Sequence, residues 1–308
     1  MFPFFFWPKK IRRNCIKSFK FVPMKKTLPR KPGPRRKPKQ KKSFFSGKVL
    51  SYSLVVLFLL FLLGLGYHYR NGLAYYFSFK TDKILREEED KRLADIRIYQ
   101  VLRKHNDQVY GFDVSEYQGK IDWKKANSIE DTFPLKFVFI RATAGKNKID
   151  TKFKENWRES KKQKFIRGAY HYYRPNENSI EQANNFIKNV KLQKGDLPPV
   201  LDIEKLPKEQ SLDSLKVGLR RWLKRVEEHY NVKPIIYSGE SYYSDFLADE
   251  FSEYTFWIAN YNFFVENIKD DWTFWQFTEK ATVPGIKGFV DVNIYNGTPK
   301  QLGYFVIN

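Results

Sequence analysis

PPVLDIE, residues 198–204, reads as a buried strand: Val200, Leu201 and Ile203 are apolar and a proline pair leads in, yet the run carries two carboxylates. Successive side chains of a strand point to opposite faces, so Asp202 and Glu204 fall side by side while Leu201 and Ile203 pack on the other face. Two carboxylates held together repel, and one of them keeps its proton to a higher pH. That arrangement is a poor stabiliser of a fold and a good acid catalyst.

Outward from this stretch, the chain from Val109 onward alternates strand-like with helical runs. The strand-like runs are 109–115, 135–143, 166–173, 197–204, 233–238, 254–261, 271–277 and 289–295. Helical patterns fall at 151–163, 178–191, 211–230 and 240–249. Eight strands with helices between most of the early ones predict an α/β fold, an irregular eight-stranded β/α (TIM-like) barrel; the later strands follow one another with little helix between them. The alternative is an open doubly wound sheet, against which stands the lack of a Gly-rich phosphate loop after the first strand.

In a β/α barrel the C-terminal strand ends converge on one face, where active sites lie. Asp113 ends the first strand-like run, Asp202 and Glu204 end the fourth, and Asp291 lies in the last, a neighbour of the first in a closed barrel. Any one of these residues alone reads equally well as a helix cap or turn former. The set of four does not, because all lie in or at the edge of strand-like runs. Clustered carboxylates serve two common ends, the binding of a hard cation and glycoside hydrolysis, where one carboxyl protonates the leaving oxygen and another stabilises the cationic transition state. The density of Tyr and Trp near strand ends (Tyr117, Tyr172, Tyr173, Tyr237, Trp257, Tyr261, Trp275, Tyr295) favours sugar, whose rings stack on such surfaces. His171 reads as an orienting residue or a satisfied core histidine. The four histidines have no ligand spacing and the single cysteine, Cys15, excludes an intrachain disulfide or a Cys-based metal site.

The net charge of +22 is unevenly distributed. Residues 1–48 hold 17 Lys and Arg, and no Asp or Glu occurs before Asp82; from there on 37 basic residues face 34 acidic ones. The basicity therefore belongs to the N-terminal segment, and no nucleic-acid partner is expected for the barrel. Residues 1–48, rich in Pro and basic residues, predict a disordered cytoplasmic tail with affinity for anionic lipid headgroups. Residues 49–67 form an uncharged apolar run of bilayer-crossing length. With positive residues kept inside, the expectation is a single-pass cytoplasmic-membrane protein whose residues 68–308 are extracytoplasmic. Residues 68–108 predict a linker with a helical stalk over 80–106, where charge clusters alternate with Ile, Leu and Val at helical spacing.

Eight motifs in order, YGFDVSEYQGKIDW (110–123), FVFIRATAG (137–145), RGAYHYYRP (167–175), PPVLDIE (198–204), PIIYS (234–238), WIANY (257–261), WTFWQF (272–277) and GFVDVNIYNG (288–297), resemble glycoside hydrolase family 25, the Chalaropsis-type lysozymes. The resemblance implies a catalytic domain over 109–308 that cleaves the β-1,4 bond between N-acetylmuramic acid and N-acetylglucosamine in peptidoglycan, with no cofactor or metal. It implies Glu204 as general acid, Asp202 as the partner that orients the substrate's 2-acetamido group, and Asp113 and Asp291 as further acidic residues of the site. Tyr172, Tyr237, Tyr261, Trp275 and Gln276 match positions near the groove. A glycan-binding barrel without catalysis and a metal-dependent hydrolase using the same carboxylates are the alternatives.

Overall fold

The computed structural model describes residues 47–70 and 83–308; residues 1–46, with Cys15 and most of the basic tail, lie outside the described residues. Helix α1, Gly47–His68, contains the apolar run. Among the described residues it is the one helix long and apolar enough to cross a membrane: Ser51–His68 has a mean hydropathy of 1.8 and none of it is buried.

Helix α2, Lys83–Lys104, leads into the barrel. Among the described residues eight strands close the cylinder: β1 Val109–Val114, β2 Phe133–Ala144, β3 Ile166–Tyr172, β4 Val200–Asp202, β5 Ile235–Gly239, β6 Thr255–Ala259, β7 Phe274–Ala281 and β8 Val290–Tyr295. Each predicted run overlaps one of these, β7 beginning and ending later than 271–277. The strands from β1 to β7 pair in parallel, in chain order. Strand β8 then pairs antiparallel with both β7 and β1, closing the ring. The eight residues 282–289 joining β7 to β8 are too few for a parallel crossover, which needs about a dozen or more, so the chain turns back.

Helices α3, Phe153–Lys162, α4, Ser179–Asn189, and α5, Leu212–Tyr230, cover the outside. Helices α4 and α5 start with ordinary capping chemistry: the Asn178 side chain accepts from the amides of Ile180 and Glu181, and Ser211 from that of Ser214. After β5 the helical pattern at 240–249 shrinks to the short segment Glu240–Tyr242 continued by a π turn, Tyr243–Leu247, and no helix bridges β6 and β7. Helix α2 packs in that gap, against β7, burying Leu93, Ile98, Val101 and Leu102. The predicted stalk is therefore helical over 83–104, and its second half is barrel wall rather than free-standing spacer.

Alternation along each strand sends one set of side chains into the lumen and the other toward the helices. Val109, Phe137, Phe139, Val200, Ile235 and Phe274 fill the lower lumen as one cluster. Gly111 and Gly168 make room for it, since a Cβ at either would lie within 2.5 Å of the ring of Phe137 or Phe139. Helix α6, Pro299–Phe305, closes the lower end with Leu302 and Phe305. Higher up the lumen turns polar, and that change of character positions the site.

Candidate active site

At the C-terminal ends of the parallel strands a cavity of about 280 Å³ opens. Asp113, Asp202, Glu204 and Asp291 all line it. Asp202 ends β4 and is 4 % exposed. Two residues on, Glu204 faces the same side and is exposed, while Leu201 and Ile203 are buried in the outer core, as the alternation of PPVLDIE requires. Asp291 is the second residue of β8; in a parallel strand that would put it at the closed end. Because β8 is reversed, Asp291 stands opposite Asp113 at the mouth.

Asp113 is held from both sides. Its Oδ2 accepts from Gln276 Nε2 at 2.7 Å and from Asn293 Nδ2 at 2.9 Å. Gln276 Oε1 accepts in turn from the hydroxyls of Tyr237, at 2.7 Å, and Tyr261, and Asn293 Oδ1 from Trp257 Nε1 at 2.8 Å. Three ring donors thus orient two amides so that both present N–H to one carboxylate. Asp202 is different: its Oδ1 is buried without a hydrogen-bond partner among the described residues. A buried, unpaired acceptor costs about 1–3 kcal/mol, so its presence at a cavity wall points to a donor supplied from outside.

Removal from water inside the cavity pushes all four carboxyls up, Glu204 at the rim included. For Asp113 the charge of Asp291 adds to burial, against the amide hydrogen bonds. For Asp202 the charges of Glu204 and Asp113 add to it. For Glu204, Lys205 and the hydrogen bond with Asp202 pull the other way. The site therefore retains protons well above the ordinary carboxylate range. Opposite this acidic cluster stands one lining cation, Arg141, bound to Asp150 at 2.9 Å and Glu116 at 3.1 Å. Its guanidinium also lies 4.6 Å from the centre of the Tyr117 ring. Tyr117 is 79 % exposed at the lip of the cavity, a ring backed by a cation on one side and open on the other.

Asp291 is pushed up to about 7, by burial first and by Glu279 second. An unfolded Asp titrates near 3.9, approximately, so the folded state holds this proton more tightly. Its contribution to stability is whole below about pH 4 and is lost as pH rises through about 7. Asp291→Asn mimics the protonated form; it is expected to melt close to wild type at pH 4.5 and several degrees above it at pH 8.5. A melting difference that does not change with pH would refute the assignment.

Of the predicted groove residues, Tyr172, Tyr237, Tyr261 and Gln276 line the cavity and Trp275 does not. Trp275 precedes Gln276 on β7, so alternation turns it outward; it is fully buried against α2, its Nε1 donating to the Asn260 carbonyl. His171 also faces outward, between Thr143 and Gln182 and stacked on Trp222, with burial lowering its pKa to about 4. It is a satisfied core histidine. Arg141, Tyr170 and Asn293, outside the predicted set, each lie two residues from a residue of the same face: Phe139, Tyr172 and Asp291. Among the described residues no three His, Cys, Asp or Glu side chains converge in a metal-binding arrangement.

The profile of Glycosyl hydrolases family 25 matches residues 112–286. The chain belongs to this family. The family 25 barrel is 40% identical over 202 residues to the uncharacterized protein YegX of Escherichia coli strain K12, covering 64% of this chain and 73% of that protein. It is 32% identical over 209 residues to Lysozyme M1 of Streptomyces globisporus, covering 63% and 70%. Among solved structures, a family 25 glycosyl hydrolase from Bacillus anthracis superposes with a TM-score of 0.59 at 29% identity, over 66% of this chain and 95% of that one. The bacterial lysozyme from Streptomyces coelicolor gives 0.58 at 29%, over 65% and 97%. The chain is thus a glycoside hydrolase, and the acidic cavity lies within the matched region except for Asp291, five residues past it.

Proposed function

We propose that this family 25 hydrolase is a membrane-anchored muramidase, cleaving the β-1,4 bond between N-acetylmuramic acid and N-acetylglucosamine in peptidoglycan. The observation that carries the mechanism is the pair at the end of β4: Glu204, two residues past the strand and open to the cavity, and beside it the buried Oδ1 of Asp202, unpartnered among the described residues. Glu204 transfers its proton to the glycosidic oxygen as the bond to the anomeric carbon breaks. The acetamido oxygen of the same sugar bonds to that carbon, and Asp202 Oδ1 accepts the acetamido N–H as positive charge develops on the amide. Water then attacks the anomeric carbon, breaks the bond to the acetamido oxygen and returns a proton to Glu204. Asp113 and Asp291 add negative charge across the cavity, Tyr172, Tyr237 and Tyr261 wall it, and the open face of Tyr117 suits a pyranose ring.

Digestion of purified peptidoglycan by the full chain, followed by borohydride reduction and mass spectrometry, is expected to give products ending in reduced muramic acid. Products ending in reduced glucosamine, or none, would overturn the reading.

The division of the chain follows: a basic tail over 1–48, an anchor over 49–67, a linker over 68–108 whose helix joins the barrel, and the catalytic domain over 109–308. The apolar, exposed α1 and the one-sided positive charge support an N-terminus in the cytoplasm and a barrel outside. Cys15, the single cysteine of the sequence, offers a direct test. A membrane-impermeant maleimide is expected to label it in intact cells only after permeabilisation. With Cys15 changed to Ser and Lys208 to Cys, the new thiol is expected to label once the outer layers admit the reagent, with the inner membrane whole. The reverse pattern would refute the topology.

A further inference from the structure

Helix α2 lies wholly before the residues matched by the family profile, yet it grips the rim of the active site. Arg97, 6 % exposed, sends its guanidinium from α2 across to three backbone carbonyls. Nη1 donates to Phe277 O, and Nη2 donates to Asn262 O at 2.9 Å and Val265 O at 3.4 Å. About two turns on, at the end of the helix, Lys104 pairs with Glu266 at 3.1 Å, and His105, just past it, donates from Nε2–H to the Glu266 carbonyl at 2.9 Å. These contacts fall on one segment, 262–266, and on β7 beside it. The segment lies in the β6–β7 connection, at the mouth of the barrel, and begins immediately after Tyr261.

Tyr261 is the link to the chemistry. It lines the catalytic cavity and donates to Gln276, which donates to Asp113. It also lines a smaller cavity together with Arg97 and Phe277, so one side chain separates the sugar-facing side from the α2 side. The connection 260–273 has no helix of its own, and α2 occupies the place such a helix would fill. A loop without regular structure is held by its few polar contacts, and here the guanidinium fork supplies up to three at once. Lysine, with a single rotatable ammonium, does not reproduce that planar fork.

We infer that Arg97 is a positioning residue for the substrate cleft: α2 acts as a strut that, through Arg97, holds segment 262–265 and with it Tyr261 against the glycan. The inference rests on the glycan-hydrolase reading for its choice of substrate. It separates this chain from a barrel defined by the family match alone, since a protein cut at residue 107 lacks the strut.

The test uses the full chain with soluble peptidoglycan fragments at 25 °C. Arg97→Ala is expected to raise KM roughly tenfold with kcat within about twofold, and Arg97→Lys to recover only part of the loss. Tyr261→Phe is expected to raise KM by itself, and the double variant to resemble Tyr261→Phe rather than to multiply the two effects, because both act on one contact. A folded Arg97→Ala enzyme with wild-type KM, or a double variant whose effects multiply, overturns the inference. Should Arg97→Ala fail to fold, His105→Gln and Lys104→Ala, which loosen the same segment at its far end, carry the test with an expected two- to fourfold rise in KM; an unchanged KM overturns the inference. Binding of a chitooligosaccharide by the same variants, read by calorimetry in a Glu204→Gln background, gives a measure independent of turnover. Wild type that neither binds nor cleaves glycan refutes the functional reading; wild type that does both, with Arg97 variants unaffected, refutes only the strut.

Discussion

Glu204→Gln is expected to cut the release of reducing ends from peptidoglycan by at least about 10²–10⁴-fold, the usual worth of a positioned proton donor. The substitution keeps the size and hydrogen-bonding shape of the side chain and removes only the transferable proton. Glu204 lies at the exposed rim, so no packing is lost, and the melting temperature is expected to stay within a few degrees of wild type. Glycan binding, measured by calorimetry on the inactive variant, should be preserved, since the loss falls on the transition state and not on the ground state. Asp202→Asn should also be slow, for another reason: an amide turned toward the substrate can present N–H to N–H. Combining the two should cost little more than the worse alone, as expected for groups serving one step. A Glu204→Gln enzyme of wild-type rate would end the assignment.

The largest expected loss of stability comes from a residue outside the site. Arg167, on the outer face of β3, donates to both oxygens of Asp196 at 2.7 to 2.9 Å and to the Trp157 carbonyl at 2.6 Å, and stacks 4.0 Å from the Trp157 ring. Both side chains of the pair are about 3–5 % exposed. Asp196 further accepts from the Gln193 amide, and its carbonyl from the amide of Ile307. Arg167→Ala leaves the carboxylate of Asp196 buried and uncompensated, which typically costs about 3–5 kcal/mol. At roughly 2–4 °C per kcal/mol for a domain of this size, the melting temperature is expected to fall by roughly 6–20 °C. Burial already pushes Asp196 up against the pull of Arg167; without the arginine it rises further. The deficit should therefore shrink as pH falls and the carboxyl takes up a proton. A melting temperature within 2 °C of wild type, or a deficit that grows in acid, would contradict this account, as read by calorimetry from pH 5 to 8.

How much of this was legible in the sequence can be judged residue by residue. The pairing of Asp202 with Glu204 follows from the two-residue period of a strand alone. The same period, applied to FVFIRATAG from Phe137 and Phe139, reaches Arg141; applied backward from Tyr172 it reaches Tyr170, and forward from Asp291 it reaches Asn293. Those three could have been found by the rule already in use. The same rule turns Trp275 away from the cavity, since it and its neighbour Gln276 cannot share a face. The direction of β8 was not legible, because the predicted runs leave eleven residues before the last strand but only nine, 262–270, before the parallel β7. Nor was the role of α2. Its apolar spacing shows a buried stripe, but nothing local to residues 83–104 says that the stripe is covered by β7, nearly two hundred positions away. Pairings of that kind depend on the whole chain closing on itself.

The reversal of the last strand has a topological corollary. Val109 and Tyr295 are register partners, so the cylinder's first and last residues meet at the pole remote from the sugar. A short bridge between them would make the ring of strands endless, and new ends could be opened at an exposed turn. Such a circularly permuted barrel would keep all eight strands around the cleft, while α2 and α6, which lie outside 109–295, would have to be rejoined at other places.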